Sequence, residues 1–128
     1  MASNELLAKL LIAALASGAG AAKSYSNEEA EEWALKASQS IVRKILKEQE
    51  WDKGTMQSLA GDMTDEMREL AKARFGGYSV FVDLQVFQGT IQDCHGQCTF
   101  GNKGSDCFFK LIYQNDMSFA FSLFLHKP

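Results

Sequence analysis

Apolar residues recur along this chain at two different periods, and the change between them separates a helical half from a strand half. Between residues 26 and 47 they recur every three to four positions, which is typical of an amphipathic helix. Ser26 and Glu29 form a capping box, which predicts that the helix begins there. The apolar stripe of this helix consists of Trp33, Ala34, Ala37, Ile41, Val42, Ile45 and Leu46.

The helical period continues in a second segment, residues 52–74, which stops before Gly76-Gly77. Gly61 lies inside this segment and costs roughly 1 kcal/mol relative to Ala, so a kink or break there is an open alternative. The methionines at positions 56, 63 and 67 are interpreted as core filling, with an adaptable binding surface as the alternative.

Beyond residue 78 apolar residues alternate with their neighbours, which predicts β-strands. The strands cover residues 78–88, a weaker segment at 92–100, and a C-terminal hairpin at 107–126 whose turn is Asn115-Asp116. Two helices followed by four strands predict an α+β fold, with the two N-terminal helices packed on a four-stranded antiparallel sheet.

The C-terminal hairpin is apolar on both of its faces. Phe119, Phe121, Leu123 and Leu125 fall on one side of the last strand by alternation, and we predict that they are core. We expect Phe108, Ile112 and Phe124 to meet a different layer. An antiparallel sheet with one wet side is polar on that side, so the second apolar face indicates helices on one side and another protein on the other. Which face meets which layer stays open.

Residues 1–24 form an extension ahead of the domain at 25–128. The extension carries an apolar stripe of Leu6, Leu7, Leu10, Leu11 and Leu15, which favours a short helix. Three interpretations stay open: the apolar part of a signal peptide cleaved near residues 19–21, a docking or oligomerisation helix, or a mobile extension. Glu5 and Lys9 argue against the signal peptide because they leave its first region without net positive charge, and the apolar run is too short to span a bilayer.

The composition favours one globular domain and a protein partner. The 128 residues are 46% hydrophobic and 23% charged, which suits a packed core better than a disordered tail. The net charge is −3 and basic residues are interspersed with acidic ones, which argues against binding to nucleic acid or an anionic membrane. Three cysteines without a CxxC spacing favour reduced thiols in a cytosolic protein.

We expect neither catalysis nor a bound cofactor or metal. Cys94, His95, Cys98 and Cys107 are the group that could bind zinc, but His95 points away from its neighbours on an alternating strand. The same divergence argues against a Cys–His nucleophilic pair. His126 has no acidic partner in the sequence, and glycine-rich phosphate motifs are absent.

Several local motifs resemble the Tctex-type dynein light chains. Residues 51–82 follow that family's second helix and first strand without a gap, and residues 80–88 end in Gln before a Gly turn, as the family's strand does. Cys98-Thr99-Phe100 resembles the family's Cys-aromatic strand, Ser105-Asp106 its Asp-containing loop, and residues 113–119 its Trp-Glu-Asn hairpin. The resemblance covers about residues 26–126.

The chain also departs from the family's pattern at two places. Phe100-Gly101 stands where the family usually has Trp-Asp, and Tyr113-Gln114 stands where it has Trp-Glu. The related eight-kilodalton light chains share the order of elements, but the chain length and the match over residues 51–82 disfavour them.

The resemblance implies a strand-exchanged dimer, formed with an identical or a different light chain, in which the strand at 92–100 crosses into the other subunit's sheet. The two sheets then meet face to face with the helices outside. An extended peptide of the dynein intermediate chain or of a cargo would bind by β-strand addition, supporting a microtubule motor of the cytoplasm or of the axoneme of a cilium. The implied groove contains Cys94, Gln97, Cys98, Thr99, Phe100, Phe108, Lys110 and Ile112. The expected dimer interface contains Phe108, Ile112 and Phe124.

A second hypothesis belongs to a different class of protein. It is a secreted small α+β binding or inhibitor protein, whose N-terminal segment is removed as a signal peptide and whose cysteines are oxidised. Free-thiol counting and the intact mass of the native protein separate the two hypotheses.

Overall fold

The computed structural model describes residues 24–91 and 105–128, which form two helices and a three-stranded antiparallel sheet. The helices are α1 (Asn27–Leu46) and α2 (Lys53–Arg74), and the strands are β1 (Ser79–Gln88), β2 (Ser105–Gln114) and β3 (Met117–His126). The strand order is β1-β3-β2. The α+β class and the helices-then-sheet order are confirmed. The predicted strand at 92–100 and residues 1–23 of the extension lie outside the described residues.

Helix α1 begins at the predicted cap. The Ser26 hydroxyl oxygen accepts a hydrogen bond from the Glu29 backbone N–H at 3.1 Å, which satisfies one of the free donors of the first turn. The positive charges of Arg43 and Lys44 in the last turn interact favourably with the negative end of the helix dipole. The helix ends at Leu46, and Lys47 leaves the helical conformation with a φ of 52°.

Helix α2 is capped by Asp52, whose Oδ2 accepts a hydrogen bond from the Thr55 N–H at 2.9 Å. It continues without interruption through the exposed Gly61, so the alternative of a break there is wrong. The core-filling interpretation of its methionines is confirmed, because Met56, Met63 and Met67 are fully buried. Neither described helix is long and apolar enough to cross a membrane.

The core lies between the helices and one face of the sheet. Helix α1 packs on β2 and β3, and α2 packs on β1. The helix-covered face of the sheet contains Val80, Val82, Leu84 and Val86 of β1, Phe108 and Ile112 of β2, and Met117, Phe119, Phe121, Leu123 and Leu125 of β3. The prediction that the alternating apolar residues of β3 are core is confirmed.

A two-residue turn joins β2 to β3 at the predicted position. Asn115 and Asp116 have φ angles of 54° and 58°, and two successive left-handed residues form the type I′ turn that suits the twist of a hairpin. The Asn115 side-chain amide donates hydrogen bonds to the carbonyl oxygens of Lys47 at 2.8 Å and Gln49 at 3.3 Å. The hairpin tip is therefore anchored to the connection between the helices.

This turn determines the register of the hairpin and corrects the predicted grouping of its apolar residues. Ile112 lies opposite Phe119, and Phe108 lies opposite Leu123. Directly opposed residues of an antiparallel pair project to the same face. The expectation that Phe108 and Ile112 share a face with Phe124 is therefore wrong. They lie against the helices with exposed fractions of 4% and 7%, while Phe124 lies on the opposite face.

Candidate binding surface

The sheet face turned away from the helices, which we call the open face, is built from five rows of opposed residues. The row at one end is polar and the next row is apolar; the last row contains two aromatic residues. In order along the sheet, with β1 first and β2 last, the rows are Ser79–His126–Ser105, Phe81–Phe124–Cys107, Asp83–Ser122–Phe109, Gln85–Ala120–Leu111 and Phe87–Ser118–Tyr113.

Apolar side chains on the open face are concentrated along β2. Cys107, Phe109, Leu111 and Tyr113 occupy successive open-face positions of this strand without a polar residue between them, and we call them the β2 stripe. Tyr113 is 52% exposed, and Phe81, across the sheet on β1, is 64% exposed. Aromatic residues exposed on one sheet face are typical of a surface that another protein covers.

The sheet edges are the second feature of this surface. Among the described residues, the order β1-β3-β2 leaves β1 and β2 each paired on one side only. The outer edge of an antiparallel strand presents unpaired N–H and C=O groups, onto which an extended chain can add as a further strand. The β2 stripe lies directly beside such an edge.

The chain that follows β1 turns toward the open face. Gly89 has a φ of 86°, a conformation that favours glycine, and its N–H donates to the Asp116 carbonyl oxygen at 2.6 Å. The Ser118 hydroxyl, which lies on the open face, donates to the Gly89 carbonyl oxygen at 2.7 Å and accepts from the Ile91 N–H at 3.3 Å. The connection from β1 to β2 therefore leaves β1 on the open-face side.

Cys107, the first residue of the β2 stripe, is disulfide-bonded. The prediction that the chain holds only reduced thiols is therefore wrong. The sequence contains two other cysteines, Cys94 and Cys98, and both belong to the connection between β1 and β2, outside the described residues. Nothing in the local sequence around Cys107 distinguishes it from a small buried apolar residue, which explains the error.

The residues of the predicted peptide groove do not lie together on one open surface of the described structure. Phe108 and Ile112 are buried in the core, and Lys110 lies on the same helix-covered face, where its ammonium forms an ion pair with Glu31 of α1. These three side chains do not line an open surface. The other predicted groove residues lie outside the described part of the chain; they are Cys94, Gln97, Cys98, Thr99 and Phe100. The β2 side chains on the open face are instead those of the β2 stripe, of which Tyr113 is exposed and the other three are partly buried. The register of the two-residue turn would have revealed this face.

A cluster of aromatic rings joins the first described residues to the sheet. The Tyr25 ring lies 5.1 Å from the ring of Phe75 and 5.2 Å from that of Tyr78, measured between centroids. The Tyr25 hydroxyl donates a hydrogen bond to the Asp106 carboxylate at 2.6 Å. Burial raises the pKa of the Tyr25 hydroxyl, and the bond to Asp106 raises this pKa further. The two residues are far apart in sequence, so no local pattern could have indicated their contact.

One serine–histidine contact lies at the polar end of the open face. Ser105 Oγ is 2.6 Å from His126 Nδ1, and the two residues are directly opposed on neighbouring strands. A serine nucleophile needs its base to be oriented by a third group. Among the described residues no carboxylate hydrogen-bonds to the His126 ring, so the geometry is that of a cross-strand polar pair.

The described residues contain no group of three or more His, Cys, Asp and Glu side chains arranged to hold a metal ion. No protein-family model matches the chain, and no curated protein matches it either. The open face, the β2 edge and the disulfide of Cys107 are therefore the features of this protein that indicate its function.

Proposed function

We propose that this protein is a non-enzymatic binding module of the dynein light chain kind. It pairs through the open face with a second light chain, identical or different, and binds an extended peptide at a sheet edge. The β2 stripe is the observation that carries the proposal, because it joins an apolar surface to a strand that, among the described residues, pairs on one side only. The peptide belongs to the dynein intermediate chain or a cargo, and the complex supports a microtubule motor in the cytoplasm or axoneme.

Pairing through the open face is supported by what the face exposes. Phe81 and Tyr113 are more than half exposed, and Phe109, Leu111 and Phe124 are partly exposed beside them. Each Å² of apolar surface removed from water contributes about 25 cal/mol, so covering several of these side chains at once is favourable. A second sheet placed face to face would cover them, while the helices of both chains would remain outside.

Peptide binding at the edge of β2 is supported by the strand order. The outer backbone of β2 has no neighbour among the described residues, and a strand at that edge would lie next to the β2 stripe. Because Phe108, Lys110 and Ile112 face the helices, we assign affinity to main-chain hydrogen bonds and selectivity to the stripe. This revises the groove that the resemblance implies.

Sedimentation tests the pairing. We expect the wild-type protein to sediment at twice its formula mass of 14.2 kDa at micromolar concentration. Leu111→Lys should give a folded monomer, because a charge in the stripe would have to be buried without a partner. Leu35→Lys places the same charge on an exposed leucine of α1 and should remain dimeric. A wild-type monomer would exclude pairing with an identical chain and leave only pairing with a different light chain.

Capture from cell extract followed by mass spectrometry tests the partner, and peptide variants test the mode of binding. Dynein intermediate chain should be recovered with the wild-type protein and lost with Leu111→Lys. In the bound peptide, proline at positions that donate main-chain hydrogen bonds should abolish binding, because proline has no N–H. Binding that tolerates proline throughout the peptide would exclude strand addition.

The disulfide at Cys107 favours a second candidate function. Disulfides persist in oxidising compartments and are rare in the cytosol, so the bond suits a secreted small α+β binding or inhibitor protein. The intact mass of the protein isolated from its native source distinguishes the candidates. An intact N-terminus supports the light chain, whereas a processed N-terminus together with the oxidised pair supports the secreted protein.

A further inference from the structure

Two adjoining shallow pockets that share Leu70 lie along the seam between α1 and α2 on the side away from the sheet, and we call them together the helix groove. Its apolar part contains Trp33, Ala37, Ile45, Leu70 and Ala73, with no strand residue in its lining. Leu70 lies at its centre and is 42% exposed. An apolar seam on the outside of a helix layer is a surface on which a further amphipathic helix can pack.

The described chain begins beside one end of the helix groove. Tyr25 and Trp33, which lines the groove, each make an edge-to-face contact with Phe75, with ring centroids 5.1 Å apart in both cases. Arg74 lies at this end of the groove and approaches Glu29 at 4.0 Å. The residues that precede Ser24 therefore start about one aromatic ring away from the groove.

The length of the preceding chain fits the groove. The groove follows α2 from Asp62 to Arg74, which is about 18 Å at the rise of an α-helix. A helix over residues 5–16 is about 17 Å long by the same measure. Residues 17–23 then form a connection that can extend to about 24 Å, enough to join such a helix to Ser24.

The charges at the two ends of the groove set the direction of such a helix. Lys36 and Arg74 lie at the end near Ser24, while the far end carries Asp62, Asp65, Glu66 and Glu69. In the direction that the helix dipole favours, residue 16 lies at the basic end and residue 5 at the acidic end. The positive N-terminal end of the helix dipole then meets the acidic residues, and the negative end meets the basic ones.

We propose that residues 5–16 form an amphipathic helix that docks in the helix groove of its own chain through the stripe of Leu6, Leu7, Leu10, Leu11 and Leu15. This inference selects the docking helix among the three interpretations of the extension. It goes beyond the peptide-binding proposal and does not depend on it.

Hydrogen–deuterium exchange of the full-length chain tests this proposal. Docking should slow the exchange of amides 8–15 by about tenfold or more relative to an unprotected peptide. Leu7→Asp should remove this protection because it charges the stripe, whereas Ile12→Asp, on the other side of the same helix, should retain it. On the groove side, Leu70→Asp should remove the protection, and Leu35→Asp, an equally exposed leucine outside the lining, should retain it.

Far-UV circular dichroism and the exchange of α1 and α2 show whether each variant keeps its fold, which is expected because Leu70 and Leu35 are already exposed. Unprotected amides 8–15 in the wild-type protein would overturn the proposal, as would protection that survives Leu70→Asp. Protection that disappears on dilution would also overturn it, because the helix would then dock on another molecule. Removal of residues 1–23 from the native protein, detected by intact mass, would have the same consequence.

Discussion

At the scale of single residues, Tyr25 connects the segment before α1 to strand β2. Its ring is buried between Phe75, Tyr78 and Phe108, and its hydroxyl donates to Asp106 on β2. A hydrogen bond to a charged group typically contributes more than one between neutral groups. The contact therefore stabilises the position of β2 against the helices.

Tyr25→Phe removes this hydrogen bond and leaves the ring packing in place. We expect the free energy of unfolding to fall by about 1–3 kcal/mol, the range for a bond to a charged group with its desolvation cost. Urea denaturation measures the change. Tyr78→Phe is the matched control, because its hydroxyl accepts an exposed hydrogen bond from the Ser24 N–H, and we expect a loss under about 0.5 kcal/mol. Equal losses for the two variants would contradict the assignment.

The same contact predicts a dependence of stability on alkaline pH. Burial and then the bond to Asp106 raise the pKa of Tyr25 in the folded protein above its unfolded value of about 10. The unfolded chain therefore loses the proton first, so this contribution is fully present below about pH 10 and is lost as the pH rises above it. The decline in stability above pH 10 should be smaller in Tyr25→Phe. An identical decline would show that Tyr25 does not titrate with unfolding.

At the scale of elements, the two-residue turn reverses the chain and also fixes the register of the hairpin. Its geometry sets which β2 residues oppose which β3 residues, and the Asn115 amide holds the hairpin tip on the connection between α1 and α2. Turn and helix connection are thus one structural unit, although they are distant in sequence.

Substitutions at Asn115 separate the contribution of its side-chain hydrogen bonds from that of its left-handed backbone conformation. Asn115→Gly keeps the left-handed conformation but loses the amide bonds to Lys47 and Gln49, and we expect a loss of about 1–2 kcal/mol in the free energy of unfolding. Asn115→Ala loses the same bonds and also places a Cβ atom in the unfavourable left-handed conformation. Its free energy of unfolding should therefore fall by about 1 kcal/mol more than that of Asn115→Gly. Denaturant unfolding compares the two variants.

Asp116→Gly is the control for the turn. It keeps a left-handed position and loses only the exposed hydrogen bond that the Tyr113 hydroxyl donates, so its effect should stay within about 0.5 kcal/mol. If Asn115→Ala and Asn115→Gly were equally stable, the backbone conformation at this position would contribute nothing.

Local sequence predicts the individual helices and strands correctly, but not how the strands relate to one another. The cap of α1, the course of α2 and the alternation within each strand follow from spacing along the chain, and the structure confirms them. The relation between strands was predicted wrongly for Phe108 and Ile112, because alternation within one strand does not say which face its neighbour shares. A type I′ turn at Asn115-Asp116 contains that information, since it places Gln114 opposite Met117 and every other pair follows.

At the scale of the whole molecule, the disulfide of Cys107 links β2 to another cysteine of the chain. The bond starts from the first residue of the β2 stripe, within the surface proposed for binding. A cross-link of this kind stabilises mainly by restricting the unfolded chain.

Cys107→Ser should lower the free energy of unfolding by about 2–4 kcal/mol under non-reducing conditions. Under reducing conditions, where the bond is absent from the wild-type protein as well, the two proteins should be equally stable. Of Cys94→Ser and Cys98→Ser, the variant that removes the bonded partner should reproduce the loss, and the other should not. Thiol titration of the unfolded native protein should find one free thiol among the three cysteines. Three free thiols would contradict the bond.

The sequence by itself determined the α+β class, the helix bounds to within a few residues, the hairpin turn and the core face of β3. Each of these depends on the spacing and conformational preferences of residues close together in the chain. Only the tertiary structure decided that the β2 stripe lies on the face away from the helices, that Lys110 pairs with Glu31, that Tyr25 bonds to Asp106 and that Cys107 is oxidised. These contacts join residues that are distant along the chain, and they form because burial and strand register bring those residues together in the folded protein.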